Sequence, residues 1–163
     1  MPMSGLRIIS VSAPADLAAA IALFRDYAAS LDVDLAYQDF DSELAAMPGK
    51  YAPPSGALLL AKNADGAAIG CVGLRALDDG LCEMKRLYVR PEGRGTGAGK
   101  ALALALIEAA ERIGYREMRL DTLPSMAAAQ SLYRELGFEA IAPYYQTPIA
   151  GTLFMRRRLR PGR

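Results

Sequence analysis

A strand, a glycine-rich turn and an almost wholly apolar helix follow one another between Leu81 and Gly114. In the helical part, residues 101–110, every residue except Glu108 is apolar, so the helix must be covered on more than one side. This pattern predicts a helix that packs flat against a β-sheet. The chain has 163 residues, about the length of one domain, and we expect residues 1–163 to form a single domain.

Turn signals place the strand of this segment in an antiparallel group. Residues 56–62 and 67–77 are apolar runs, and residues 63–66 (Asn-Ala-Asp-Gly) between them are typical of a hairpin turn. A second turn at residues 78–80 leads into the strand at residues 81–89. We therefore predict three adjacent antiparallel strands.

The rest of the chain completes an α+β pattern. We predict further strands at residues 6–11, 116–122, 138–145 and 151–159, and helices at residues 15–31, 41–46 and 125–136. The order β-α-α-β-β-β-α-β-α-β-β is typical of an α+β sheet. Four arginines at the end of the last predicted strand are interpreted as a solvated sheet edge, with contact to a phosphate as the alternative: Arg156, Arg157, Arg158 and Arg160.

Composition excludes several kinds of chemistry and of partner. The chain has no histidine, which excludes Ser-His-Asp and Cys-His catalysis. Cys71 and Cys82 lie in apolar strands without CxxC spacing, so we expect buried thiols and no metal site. A formal charge of +1 gives no reason to expect nucleic acid or an acidic membrane as partner. Because we find neither a signal-peptide pattern nor a run of ~20 apolar residues, we expect a cytoplasmic protein.

The turn at residues 93–99 contains four glycines in seven residues, more than a helix cap requires. Free N–H groups at a helix start bind anions, so a phosphate-bearing cofactor is implied. A Walker A loop does not fit, because Arg94 stands where that motif needs glycine and Ala101 where it needs serine or threonine. A Rossmann match at residues 93–98 is weak, because residues 90–92 intervene where that motif has a tight turn.

A third pattern fits this turn. Arg94-x-x-Gly97-x-Gly99 resembles the pyrophosphate loop of GNAT-type N-acetyltransferases, Arg/Gln-x-x-Gly-x-Gly/Ala, and it follows a strand as in that family. The resemblance implies a mixed, mostly antiparallel seven-stranded sheet with helices on both faces. It also implies that the fourth and fifth strands splay apart and that acetyl-CoA, the expected co-substrate, enters the gap.

A second motif lies downstream. Residues 129–138, Ala-x-x-Leu-Tyr-x-x-x-Gly-Phe, resemble the second signature of the same family. Tyr133 then matches the family's candidate general acid, while core packing is the alternative role for its ring. The family often has asparagine seven residues before this tyrosine, and here that position is Met126. The departure leaves the adjacent Ser125 as the candidate cofactor contact from this helix.

The resemblance also implies the cofactor-binding residues. Backbone groups of the strand end at Leu87, Tyr88 and Val89 would hold the pantetheine arm, and Leu87 N–H is a candidate oxyanion donor. The pyrophosphate would lie on a loop made of Arg94, Gly95, Thr96, Gly97, Ala98, Gly99 and Lys100.

Glu83 is the candidate general base. It lies four residues before Leu87, which predicts the same strand face, and it aligns with the carboxylate that some family members use as base. An ordinary solvated strand carboxylate is the alternative. Direct transfer is expected, since nothing near either cysteine would lower a thiol pKa.

The predicted function is transfer of acetyl from acetyl-CoA to a primary amine of a small molecule or peptide. The alternatives are a catalytically silent acyl-CoA-binding or regulatory domain and an O- or S-acyltransferase of the same fold. A homodimer through the terminal strands is a further possibility. Six aromatic residues are expected either to line the acceptor side or to belong to the core: Tyr27, Tyr37, Phe40, Tyr51, Tyr144 and Tyr145.

Overall fold

A seven-stranded sheet organises residues 5–162, which this computed structural model describes. The strands are β1 (Arg7–Ser10), β2 (Ala57–Lys62), β3 (Ala68–Ala76), β4 (Leu81–Val89), β5 (Glu117–Thr122), β6 (Glu139–Ile141) and β7 (Leu153–Arg158). The helices are α1 (Pro14–Ser30), α2 (Phe40–Ala46), α3 (Ala98–Ile113) and α4 (Ala127–Glu135), with a 3₁₀ turn at Leu35–Gln38 before α2. Within the described range, no helix has the length and apolar character needed to cross a membrane.

The strand order is β1-β2-β3-β4-β5-β7-β6. β4 and β5 are parallel and the other neighbours are antiparallel, so the predicted mixed, mostly antiparallel sheet is confirmed. The interpretation of the last strand as a sheet edge is wrong, because β7 lies between β5 and β6. Its Arg156 is held by Glu117 of β5 and Glu139 of β6.

The predicted splay of the fourth and fifth strands is also confirmed. β4 pairs with β5 only from Leu81 to Glu83, opposite Glu117 to Arg119. Beyond Glu83 the two strands separate, although β4 stays paired with β3 as far as Val89. The sheet therefore opens in its middle, and one side of β4 is left without a neighbouring strand.

Helices cover both faces of the sheet, as predicted. α3 buries Leu102 and Leu106 in a cluster that includes Val72 and Met84 of the sheet. α1 buries Leu23 and Phe24 against the opposite face, which presents residues such as Leu60. The nearly all-apolar sequence of α3 thus follows from its position flat on the strands.

Two predicted elements differ from the structure. The strand predicted for residues 138–145 ends at Ile141, because Pro143 has no N–H for a strand ladder, and Tyr144 and Tyr145 lie in the following loop. The short helix predicted to be capped by Asp41 begins at Phe40 instead. Its N-cap is Asp39, whose φ is +56°.

Candidate active site

A cleft lies where β4 and β5 separate. It is bounded by both strands, by α4 and its preceding turn, by α1 and by the 3₁₀ turn. The lining residues are Tyr27, Leu35, Tyr37, Gln38, Met84, Lys85, Arg86, Leu87, Asp121, Leu123, Met126, Ala129 and Tyr133. We call this opening the β4–β5 cleft.

The backbone at the end of β4 presents hydrogen-bonding groups to the open side of the sheet. Arg90 N–H donates to Ile69 O of β3 at 2.8 Å. Because successive N–H groups of a strand alternate in direction, those of Leu87 and Val89 point away from β3. Arg94 Nε donates to Val89 O at 3.2 Å, so the first residue of the glycine motif already contacts this backbone.

A β-bulge changes which residues of β4 share a face. Arg86 has a φ of +62°, and the β3–β4 register shifts between Cys71 and Gly73. As a result Leu87 packs with Met84 on the α3 face. Glu83, the neighbour of Met84, lies on the opposite face. The prediction that Glu83 and Leu87 share a strand face is therefore wrong.

The glycine-rich turn ends at the start of α3. Gly97 is the N-cap with a φ of +85°, and the first helical hydrogen bond runs from Ala101 N–H to Gly97 O at 3.0 Å. Ala98 N–H has only a long hydrogen bond of 3.4 Å to Thr96 Oγ1. The N–H groups of Gly99 and Lys100 precede the first intrahelical donor, so they are available to an anion.

The surroundings of this helix start fit a ligand that approaches the backbone. A Cβ on Gly99 would meet Val89 Cγ2 at 3.7 Å and Leu132 Cδ2 at 3.9 Å, which are ordinary contacts. Packing therefore gives no reason for glycine at position 99, and the two contacts place the start of α3 beside the end of β4 and beside α4. Lys100 is ion-paired with Glu135 of α4 at 2.5 Å.

Tyr133 of α4 lies at the cleft. Gly137, with a φ of +91°, ends the helix and turns the chain so that Phe138 packs edge-on against Tyr133, with ring centroids 5.7 Å apart. The Tyr133 side chain is buried but lines the cleft. Burial raises the pKa of its phenol, and the nearby Tyr27 and Asp121 add to the effect. The phenol therefore keeps its proton at neutral pH, as a general acid must.

The turn before α4 holds the two residues that bear on the second motif. Ser125 is exposed in this turn. Met126 lines the cleft, and Thr122 Oγ1 donates to its sulfur at 3.7 Å. The position where the family often has asparagine thus supplies an apolar wall, which leaves Ser125 as the polar side chain of this turn.

Glu83 has a defined environment that differs from the solvated alternative. Its side chain is only 2% exposed. Arg75 Nε contacts Oε1 at 2.7 Å, and the Tyr144 hydroxyl donates to Oε2 at 2.6 Å. Both carboxylate oxygens have partners, and Glu83 is not among the residues that line the β4–β5 cleft.

A buried polar network in the cleft was not identified from the sequence. Gln38 is its centre: Oε1 accepts from Lys85 Nζ at 3.1 Å and from Arg86 Nη1 at 2.7 Å, and Nε2 donates to Asp121 Oδ2 at 3.4 Å. Arg86 also forms a two-point ion pair with Glu43, at 2.9 and 3.1 Å. Two adjacent charged residues in a buried strand, Lys85 and Arg86, are the signal that predicts a bulge here.

The six aromatic residues divide between site and core. Tyr27 and Tyr37 line the cleft. Tyr51 is buried and also lines an adjoining groove. The other three pack elsewhere: Phe40 lies under the Arg86 guanidinium, and Tyr144 and Tyr145 pack on Phe154.

Both cysteines are buried free thiols, as expected. Burial raises the pKa of Cys71 and of Cys82. Neither lines the cleft.

Comparison with known proteins gives the family. A model of the acetyltransferase (GNAT) family matches residues 16–138. The chain belongs to the GNAT family of acetyltransferases. An uncharacterized N-acetyltransferase of Schizosaccharomyces pombe is 41% identical over 157 residues, which cover 96% of each chain. This GNAT chain is therefore an acyltransferase.

Solved structures agree on the fold. A GNAT acetyltransferase of Staphylococcus aureus has a TM-score of 0.77 at 22% identity, covering 94% of this chain and 99% of its own. A GNAT phosphinothricin acetyltransferase of Sinorhizobium meliloti, in complex with AcCoA, has a TM-score of 0.71 at 22% identity and covers 95% and 89%. The open seven-stranded sheet is thus the GNAT fold.

Proposed function

We propose that this chain transfers the acetyl group of acetyl-CoA directly to a primary amine of a small molecule or peptide. One observation supports the proposal: Leu87 and Tyr133 line the opening between β4 and β5, and the start of α3 lies beside Val89 at the end of β4. These are the groups that must bind a pantetheine arm, a pyrophosphate and a leaving thiolate.

Acetyl-CoA is the proposed acetyl donor, and the residues fit it. The N–H groups of Leu87 and Val89 would bind the pantetheine arm along β4, where Tyr88 belongs to the same strand end. The backbone of the loop from residue 94 to residue 100 would hold the pyrophosphate. In this assignment Gly95 and Thr96 shape the loop, and Ser125 is a further polar contact from the turn before α4.

Tyr133 is proposed as the general acid. Amine attack on a thioester leaves a thiolate, and a phenol that is protonated at neutral pH can donate its proton to that sulfur. Leu87 N–H, which points away from β3, would stabilise the developing oxyanion. Glu83 acts as a positioning residue, because it holds Tyr144, whose ring packs on that of Tyr145 at 5.7 Å.

Direct transfer is favoured over an acetyl-cysteine route. Cys71 and Cys82 are buried outside the cleft, and their raised pKa values disfavour the thiolate that such a route needs. A polar acceptor is supported by the adjoining groove, which shares Gln38 with the cleft and is lined by charged residues including Asp39, Glu43 and Arg75.

The test is an acetylation screen of a panel of primary amines and amine-bearing peptides with acetyl-CoA, read by thiol release and by mass spectrometry of the products. At least one amine is expected to gain an acetyl group in a linkage that resists hydroxylamine. CoA binding without turnover across the panel would favour the silent binding domain. Products that hydroxylamine cleaves would favour an O- or S-acyltransferase.

A homodimer through the terminal strands stays a prediction. The outer strand at that end is β6, which pairs with β7 on one side only. Light scattering in solution measures the mass that decides it.

A further inference from the structure

Within residues 5–162, Asp121 is the one carboxylate that lines the β4–β5 cleft. It lies near the end of β5, two residues beyond Arg119, the last partner of β4. On its other side β5 stays paired with β7, where Asp121 is opposite Phe154. The carboxylate is therefore held by a paired strand at the point where the sheet opens.

The two oxygens of Asp121 have different surroundings. Oδ2 accepts a hydrogen bond from the Tyr145 hydroxyl at 2.6 Å and a longer one from Gln38 Nε2 at 3.4 Å. Oδ1 faces Lys85 Nζ at 3.7 Å, which is beyond hydrogen-bonding distance. Within residues 5–162, Oδ1 has no hydrogen-bond donor, so it can accept one from a ligand in the cleft.

The neighbouring carboxylates lack such an open oxygen. Glu43 has both oxygens on Arg86, and Oε2 also accepts from the Tyr51 hydroxyl at 3.0 Å. Glu83 has one oxygen on Arg75 and the other on Tyr144, and it lies outside the cleft lining. An amine in the cleft therefore meets one acceptor of suitable charge, Asp121.

Lys85 does not form a hydrogen bond to Asp121 Oδ1. Its ammonium group donates to Gln38 Oε1 at 3.1 Å rather than to Asp121. Burial lowers the pKa of Lys85, which is only partly offset by the charge of Asp121. The cation nearest to Oδ1 is thus hydrogen-bonded to Gln38 and lies 3.7 Å from the carboxylate oxygen.

We propose, on the basis of the acetyltransferase function above, that Asp121 binds the acceptor as its ammonium ion through Oδ1 and accepts the proton that must leave before attack. The N–H bond of the ammonium breaks and an O–H bond forms on Asp121. The freed lone pair forms the N–C bond to the acetyl carbon while the C–S bond breaks. Tyr133 gives its proton to the sulfur and regains one from the new amide nitrogen, and Asp121 returns its proton to solvent.

The first test is an NMR titration that measures the affinity of the CoA-loaded protein for ethylammonium chloride. Asp121→Asn keeps an oxygen for Tyr145 but removes the charge, so its affinity for ethylammonium should fall about tenfold or more, the value of one charge-assisted hydrogen bond. Asp65→Asn, an exposed hairpin carboxylate, is the matched control for the loss of one charge. Equal binding by Asp121→Asn and wild type, or no binding by wild type, overturns the proposal.

The second test compares turnover of ethylamine with that of 2,2,2-trifluoroethylamine, which is mainly unprotonated at neutral pH. Asp121→Asn should lose about 10²–10⁴-fold with ethylamine and much less with the fluorinated amine, which needs no base before attack. Equal losses with both amines would contradict proton acceptance by Asp121. A selective loss with ethylamine in Glu83→Gln, and none in Asp121→Asn, would overturn the assignment.

The two tests distinguish failure of the proposed acetyltransferase function from failure of the Asp121 assignment. If the wild type binds CoA but acetylates no amine of the panel, the proposed function fails, while the ethylammonium titration still decides whether Asp121 is an ammonium site. If Asp121→Asn does not fold, the double variant Lys85→Met/Asp121→Asn removes both charges together and leaves no unpaired buried cation. The same loss of ethylammonium binding is expected of it.

Discussion

At the scale of single residues, Tyr133 packs its ring on Phe138 and lines the cleft, so its proposed role as general acid can be tested separately from its packing. Tyr133→Phe keeps the ring and removes one oxygen. We expect turnover to fall about a hundredfold, because the thiolate then leaves without a proton donor. The free energy of unfolding should change by about 1 kcal/mol or less. Steady-state kinetics beside a thermal melt measures both quantities.

Tyr115→Phe is the control for this prediction. Tyr115 is also a buried phenol, and its hydroxyl donates to Ser55 O at 2.5 Å, away from the cleft lining. The free energy of unfolding of Tyr115→Phe should fall by about 1 kcal/mol, while its turnover should equal that of the wild type. A folded Tyr133→Phe enzyme with wild-type turnover would end the assignment of Tyr133 as the acid.

Single residues also show what the sequence could not reveal. Glu117, Arg119 and Asp121 alternate with apolar residues in β5, a pattern typical of a strand with one solvated face. In the structure that face is covered near Asp121 by the loop that carries Tyr144 and Tyr145, which is distant in sequence. Alternation reports which residues share a face but not what later packs on it, so Asp121 was missed.

At the scale of elements, packing does not explain the glycine at position 99 in the start of α3, whereas the proposed binding of a pyrophosphate would explain it. Gly99→Ala adds a methyl group with ordinary contacts to Val89 and Leu132, and alanine stabilises a helix relative to glycine by about 0.5–1 kcal/mol. The same methyl group would stand where the pyrophosphate approaches the backbone. We expect a raised melting temperature and an affinity for CoA that falls about tenfold, or about 1.4 kcal/mol.

The prediction for Gly99→Ala is specific because stability should rise while the affinity for CoA falls. A general disturbance of the loop would lower both stability and affinity. Calorimetric titration with CoA that shows unchanged affinity in Gly99→Ala would mean that the ligand does not approach this helix start. Gly97 is less suitable for the test, because its φ of +85° strains any other residue.

Most elements were predictable, and the failures have local causes. α1, β2, β3, β4 and β5 lie within one or two residues of their predicted positions, since long apolar runs and glycine turns mark them clearly. The order of the last two strands was not predictable, because short polar strands near the chain end carry no signal of which strand they pair with. Strict alternation predicts that Glu83 and Leu87 lie on the same face of β4, but the bulge at Arg86 places them on opposite faces.

At the scale of the whole molecule, α1 and α2 pack on the sheet through buried apolar residues, and ion pairs to β4 and the residue after it add to this packing. The pair between Arg86 of β4 and Glu43 of α2 is the most buried of these, with side chains 2% and 14% exposed. Removing one partner leaves a buried charge, so Glu43→Gln should lower the free energy of unfolding by about 3–5 kcal/mol. That is a large part of the ~5–15 kcal/mol of an ordinary domain.

The stability lost in Glu43→Gln should depend on pH. Burial alone would raise the pKa of Glu43, but the hydrogen bonds and charge of Arg86 outweigh it and hold the pKa below the ordinary 4.5. A depressed carboxyl pKa contributes stability that is present above the unfolded value and is lost as pH falls through the folded one. In urea unfolding, the difference in free energy of unfolding between wild type and Glu43→Gln should therefore be constant from about pH 6 to pH 8 and shrink below about pH 4.5.

Glu108→Gln, on the exposed face of α3, is the control, and its free energy of unfolding should differ little from that of the wild type at any pH. A difference for Glu43→Gln that stays constant down to acid unfolding would show that Glu43 is not ionised against Arg86, and the pair would then not be what ties α2 to the sheet.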